Sequence, residues 1–258
     1  MHVVITGAST GIGEGLARAW ARKGASLTLV SRRRAALDAL AASLGTPCHV
    51  VAADLADPAQ ATAWLAGAEA ALGPVDVLVN NAGVQIVGPT ETIPPEQAEA
   101  LLRLDLLAPL ALVRAVAPGL LARGRGAVVN VSSLAALAPT PGMAHYNAAK
   151  AGLAAFSESL RGEWRRTGVN VVTVYPGPVR TNLADVALGA YGKLPLPIPF
   201  GTVDGLARRV VAAVEGGRGR VVYPAVYAIV RHFPQVTRFV LDLATPRPRL
   251  SSSDTGGR

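Results

Sequence analysis

Short apolar runs rich in valine recur along the chain, separated by longer stretches of helical period. HVVIT, SLTLV, CHVVA, VDVLVN, GAVVNVS, NVVTVY and RVVYP are continuous rather than alternating in their apolar positions. A strand packed on one face alternates with period two, whereas a continuous run requires cover on both faces. The intervening segments, such as Ala35 to Leu44 and Ala59 to Leu72, are rich in Ala and Leu with few breakers and read as helices. The alternation predicts an α/β fold: a single domain over 1–245, built on a doubly wound parallel sheet of about seven strands.

Two stretches depart from this rhythm. The segment from about 183 to 202, NLADVALGAYGKLPLPIPFG after Thr181, has no clear period and holds Pro195, Pro197 and Pro199. It suits an apolar lid over an apolar substrate, or equally an ordinary packed loop. After the last strand, PAVYAIVRHFPQVTRFVLDLA predicts a C-terminal helical extension over about 224–245, with Pro234 opening a second short helix. Val226, Ile229, Val230 and Phe233 share one face, while Arg231, Gln235, Arg238 and Asp242 lie on another. Arg231, His232, Pro234 and Arg238 interrupt the run too often for a bilayer span. Such a helix can contact an anionic membrane peripherally, or its apolar face can cover the domain or a subunit partner. The tail 246–258, PRPRLSSSDTGGR, has little to bury and is expected to be disordered.

Composition narrows the function classes. Half of the 258 residues are apolar, ample for one core. The lone Cys48 can form no internal disulfide and no thiolate metal cluster, so a reducing, cytoplasmic setting and no metal are expected. The N-terminus MHVVITGAST leads into the first strand with no charged segment before a long apolar run, so no signal or anchor is expected. The formal charge of +8 comes from 25 basic residues of which only Lys23, Lys150 and Lys193 are lysine. The arginines are dispersed from Arg18 to Arg258 without a basic stripe, so nucleic acid is not an expected partner.

The first strand runs into TGASTGIG and then a helix. Gly7, Gly11 and Gly13, with Ser9, Thr10 and Ile12 between them, fall where a backbone turns sharply and approaches a pyrophosphate at a helix N-terminus. That context makes the sheet Rossmann-like and the turn a dinucleotide site. The second strand ends in SRRR, and no acid follows until Asp38. A carboxylate there would hold the ribose hydroxyls, whereas arginine accommodates a 2′-phosphate. Arg32, with Arg33 in support, therefore predicts NADP(H) in preference to NAD(H).

AHYNAAKAGL sets Tyr146 and Lys150 four residues apart, on one face of a helix. With TGASTGIG, NNAG at Asn80 to Gly83, VSS at Val131 to Ser133, YNAAK at Tyr146 to Lys150 and PGPVRT at Pro176 to Thr181, the chain resembles the short-chain dehydrogenase/reductase family from Val3 to about Tyr223. The resemblance implies that Tyr146 is the acid/base, Ser133 shares the substrate oxygen, and Lys150 favours the phenolate and holds the nicotinamide ribose. It implies that Asp54, Leu55, Asn81, Ala82 and Gly83 line the adenosine side. Pro176, Gly177, Val179 and Thr181 would then hold the nicotinamide side, and Asn80 would steady the sheet. It also implies a homodimer or homotetramer through the long helices carrying Asp105 and Tyr146.

One position departs from the family pattern. The family has an asparagine in the helix after NNAG, which kinks the backbone and holds a relay water; here Asp105, in LLRLDLLAPLAL, occupies the matching position. Asp105 would either keep the relay while pairing with Lys150, or mark a slower or altered enzyme. The expected activity is NADP(H)-dependent interconversion of a carbonyl and a secondary alcohol on a small, lipophilic molecule. The alternative is a non-catalytic nucleotide-binding redox sensor or scaffold.

Overall fold

The structure is a computed structural model, and it describes residues 1–181, 184–185, 189–191, 199–246 and 251–252. Seven parallel strands form the central sheet: β1 (His2–Thr6), β2 (Ser26–Ser31), β3 (Cys48–Ala52), β4 (Val77–Asn80), β6 (Gly126–Val131), β7 (Val169–Pro176) and β8 (Arg220–Tyr223). Their order is β3-β2-β1-β4-β6-β7-β8. The direction of winding reverses between β1 and β4, so a crevice opens beyond the carboxyl ends of those two strands. The glycine turn follows β1, NNAG follows β4, VSS follows β6 and PGPVRT follows β7, which brings four motifs to one edge.

Every second residue of each strand faces a different core. Val3, Ile5, Leu27, Leu29, Val77, Val79 and Val172 pack under α1 (Gly11–Ala21) and the helix we number α7 (Val203–Glu215). Val4, Val30, Leu78, Val128 and Val171 pack on the opposite face, under α3 (Leu65–Leu72), α5 (Ala108–Arg123) and α6 (Ala144–Glu163). Covering both faces is why the strands read as unbroken apolar runs. Each fully buried Val or Leu contributes about 1.5–3 kcal/mol. The remaining helices are α2 (Arg34–Leu44) and α4 (Pro95–Leu102), then α8 (Ile229–His232) and α9 (Pro234–Ala244) in the C-terminal extension.

The structure corrects two expectations and refines a third. The helix expected over Ala59 to Leu72 begins only at Leu65. Asp54 Oδ1 accepts from the Ala56 N–H, and Asp57 accepts from the Ala59 N–H and the Gln60 amide, which holds turns where a helix would otherwise start. The tail is not wholly without structure, because Ser251–Ser252 (β9) pairs antiparallel with Ile86–Val87 (β5) and satisfies backbone groups of that short strand. The C-terminal apolar face is divided: Val230 is buried, while Val226, Ile229, Phe233, Phe239 and Leu243 are exposed. Pro195 and Pro197 of the expected lid lie outside the described residues.

The helical stretch Pro95–Arg123 is long and apolar enough by length and composition to cross a membrane. Leu101, Leu112 and Leu120 are fully buried in the domain, so much of its apolarity is spent on packing. A π-helical turn, Arg103–Leu107, joins α4 to α5 and inserts one extra residue into the winding.

At the opposite end of the sheet His2 is 2% exposed. Its Nδ1 lies 2.7 Å from the Gly73 carbonyl and so donates, and its Nε2 shares a hydrogen bond with the Thr28 hydroxyl at 2.8 Å. Burial holds the imidazole below its ordinary value of 6.5, while the Gly73 carbonyl, Asp76 and Glu69 pull it up and His49 pulls it down. A lowered folded-state value means that the unfolded chain takes up the proton first. The His2 contribution is therefore complete above about pH 6.5 and lost as the pH falls through the folded-state value. Between pH 6.5 and 5 the urea midpoint of the wild type should fall more steeply than that of His2→Gln; parallel curves would disprove this.

Candidate active site

The glycine turn is shaped by the loop beside it. Gly7 has φ +65°, and a Cβ there would lie 2.8 Å from Ala82 Cα and 2.9 Å from Asn81 Nδ2. Gly7 is thus required by the close approach of two loops as well as by its backbone angle. A Cβ at Gly13 would overlap the Gly7 carbonyl, so α1 can start hard against the turn only because that position is bare. Gly11, at φ +59°, is different: a Cβ would meet only the Thr181 side chain, at 3.4 Å. This glycine faces the crevice, in the place where a pyrophosphate needs backbone access.

Asn81 donates from Nδ2 to the Thr6 carbonyl at 2.9 Å and to the Gly7 carbonyl at 3.3 Å. Thr6 Oγ1 accepts from the N–H groups of both Asn81 and Ala82 at 3.0 Å. Asn81 therefore clips the glycine turn, and its side chain is committed to the protein. Thr6 escaped the sequence reading, although a hydroxyl ending a buried apolar strand was a usable signal. Asn80 donates to Asn130 Oδ1 at 2.8 Å, and Asn130 donates to the Ser157 hydroxyl at 2.8 Å, tying β4 and β6 to α6. Asn130 and Ser157 were likewise not anticipated.

On the adenosine side Arg32 and Arg33 are both exposed at the end of β2, and the glycine turn is crossed by Arg33. Its Nη2 donates to Ser9 Oγ and Thr10 Oγ1, each at 2.9 Å, arching over the glycine turn. Arg32 is exposed beside it. Asp54 turns one oxygen to its own loop. Leu55 is 4% exposed and its side chain packs in the core with Val51 and Leu65, so only its backbone can face the adenosine side. Beyond β7, Gly177 has no room for a Cβ, with Leu134 Cδ1 at 2.7 Å and the Tyr227 ring at 3.0 Å. Val179 is buried, and Thr181 Oγ1 donates to its carbonyl at 3.3 Å beside Gly11.

The chemical centre forms where β6 ends and α6 begins. Ser133 is extended and accepts from the Ala135 N–H at 3.1 Å, which caps the 3-10 turn Leu134–Ala136 and fixes its hydroxyl. That hydroxyl is close enough to the Tyr146 phenol to favour its ionised form. Ser132 faces elsewhere, donating to the Lys150 carbonyl at 2.8 Å and fastening α6 to β6. Lys150 lies one turn beyond Tyr146, with Nζ 5.7 Å from the ring centroid. Nζ donates to the Val131 carbonyl at 3.2 Å and pairs with Asp105 Oδ2 at 3.1 Å. Asp105 Oδ1 accepts from the Val84 N–H at 2.8 Å.

Tyr146, Lys150 and Asp105 are all buried. Burial raises the Tyr146 phenol, Lys150 pulls it down, Asp105 pushes it up and Ser133 pulls it down; the balance is above the ordinary value. Burial alone would lower Lys150, but Asp105 and Tyr146 together hold it above its ordinary value. Gly83 leaves the necessary gap, since a Cβ would lie 2.8 Å from Asp105 Oδ2 and 3.1 Å from Lys150 Nζ.

The wall around Tyr146 is apolar, formed by Ile86, Ala135, Met143, Ala190 and Tyr191. Tyr191 donates to the Pro141 carbonyl at 2.7 Å, and burial keeps its phenol well above the usual value. Nothing in the aperiodic sequence around Tyr191 signalled that position. The open turn at Gly11, the guanidinium over Ser9 and Thr10, and the amine in the crevice are donors that can face a nicotinamide dinucleotide.

Comparison with known proteins agrees with this geometry. The short chain dehydrogenase family model matches residues 1–188. A D-threitol dehydrogenase of Mycolicibacterium smegmatis is 35% identical over 187 residues, covering 71% of this chain and 72% of that protein. A short-chain dehydrogenase of Sphingobium yanoikuyae, solved with NADPH, superposes with TM-score 0.80 at 33% identity over 94% of this chain and 95% of that one. The 3-ketoacyl-(acyl-carrier-protein) reductase of Brucella melitensis, solved with NADH, gives TM-score 0.78 at 27% identity over 86% and 96%. The glycine turn, the serine–tyrosine–lysine cluster and these matches lead to one conclusion: the chain belongs to the short-chain dehydrogenase/reductase family and is an oxidoreductase acting on CH–OH groups.

Proposed function

We propose that the protein is an NADP(H)-dependent oxidoreductase that interconverts a carbonyl and a secondary alcohol on a small, lipophilic molecule. The observation carrying this reading is the meeting of Ser133, Tyr146 and Lys150 in one buried corner beside the glycine turn. The bound cofactor supplies the hydride. The substrate oxygen lies between the Ser133 and Tyr146 hydroxyls, and developing negative charge there is stabilised by both donors. Tyr146 gives its proton to that oxygen in reduction and takes it back in oxidation. Lys150 steadies the phenolate and presents its N–H groups to the nicotinamide ribose.

NADP(H) is preferred because Arg33 caps the adenosine end of the turn; related structures carrying NADPH and NADH are both compatible with the fold. The apolar wall at Ile86, Ala135, Met143 and Tyr191 favours a lipophilic carbonyl. A panel of ketones and medium-chain 3-oxo compounds, followed by NADPH absorbance, should include substrates. Tight NADPH binding without turnover of any of them would favour the sensor or scaffold reading, whose support is Asp105.

Two surfaces are proposed for partners in a cytoplasmic setting. Leu107 and Leu121 are exposed on the long helix and fit a second copy of the chain, giving a dimer or tetramer by light scattering. The exposed C-terminal face, from Val226 to Leu243, fits peripheral contact with an anionic membrane. Flotation with phosphatidylglycerol vesicles but not with phosphatidylcholine vesicles is the expected result; no flotation with either removes that contact.

A further inference from the structure

A carboxylate fully buried beside the lysine of the site changes what that lysine can do. The π-helical turn Arg103–Leu107 directs Asp105 inward, where it is 0% exposed, and divides its oxygens between the Val84 N–H at 2.8 Å and Lys150 Nζ at 3.1 Å. Beside this ion pair, Lys150 donates a hydrogen bond to the Val131 carbonyl at 3.2 Å. The amine is thereby held on the side of the crevice formed by β6 and the π turn. An unpaired buried ammonium would lose its proton or draw in water; a buried partner holds it charged and in place. The same partner makes the pair close to neutral, so Tyr146 feels a dipole rather than a full positive charge.

Resting on the oxidoreductase reading, we propose that Asp105 is a positioning residue that fixes Lys150 and cancels much of its field at Tyr146. The site is thereby poised for carbonyl reduction, with Tyr146 protonated, rather than for alcohol oxidation. The groups facing this cluster among the described residues are Lys150 and Tyr146 from α6, Ser133 from the end of β6 and Tyr191 from the segment before 192. Ser133 does not titrate, and Tyr191 keeps its proton because burial holds it far above the working range. The pH response of Tyr146 is then governed by the Asp105–Lys150 pair. The raised phenol, on which burial acts first and Asp105 adds to the rise, agrees with this direction.

The test is an ultraviolet titration of phenolate in the full-length protein, taken as the difference from Tyr146→Phe, for wild type and Asp105→Asn. It needs no substrate, so failure of the oxidoreductase reading and failure of this proposal are separable. In wild type the Tyr146 midpoint should lie above the ordinary phenol value, whereas Asp105→Asn should bring it down by about one pH unit or more. The acid limb of alcohol oxidation should move by the same amount, and kcat for oxidation near pH 7 should rise relative to reduction by about tenfold. A Tyr146 phenolate already present at pH 8 in wild type overturns the proposal without any variant. An unchanged midpoint in folded Asp105→Asn overturns it as well, leaving the carboxylate a structural role only. If Asp105→Asn does not fold, Asp105→Ser carries the same expectation and the wild-type criterion still decides.

Discussion

Tyr146→Phe should lower kcat by about a thousandfold while changing nucleotide affinity by no more than about threefold. The side chain packs among Ile86, Ala135, Met143 and Ala149, and phenylalanine keeps all of that surface. Only the hydroxyl is lost, together with the proton it exchanges with the substrate oxygen. Ser133 remains as a donor and the cofactor site is untouched, so a residual rate should survive. Steady-state rates with any accepted ketone, alongside a nucleotide titration of the same variant, separate the two effects. Wild-type turnover in this variant would mean that another group supplies the proton.

The second large effect is expected at Arg33. Its guanidinium reaches Ser9 and Thr10 across the glycine turn, where an adenosine 2′-phosphate would displace neutral hydroxyls as the better acceptor. A charge-assisted hydrogen bond of about 1.5–3 kcal/mol corresponds to roughly ten- to a hundredfold in affinity. Arg33→Ala should weaken NADPH binding by that amount and NADH binding by less than about twofold. Arg33→Lys should recover only part of the loss, because an ammonium cannot reproduce the planar two-donor geometry. Equal losses for both nucleotides would show that Arg33 supports the turn rather than reads the phosphate.

The sheet and its motifs were legible because two-sided burial writes continuous apolar runs, and because the glycine turn sits between a strand and a helix. Local competition was less legible. Asp54 and Asp57 bond their own backbone and delay α3 to Leu65, although the Ala-rich stretch before it has a helical period. The hydrogen bonds of Arg33 to Ser9 and Thr10 across the glycine turn depend on side-chain reach, which SRRR alone does not show. Asp105 could be matched to the family position from LLRLDLLAPLAL, but the π turn that carries it inward is not written in the periodicity. Tyr191 entered the apolar wall from a segment with no pattern, and Asn81 proved to be a clip for the glycine turn.

We have proposed that a nicotinamide dinucleotide, NADP(H) in preference to NAD(H), sits at the glycine turn beside Tyr146 and Lys150. Fluorescence titration of the purified protein with NADPH and with NADH tests it most directly. Saturable binding of both is expected, tighter for NADPH. Folded protein that binds neither nucleotide would contradict it.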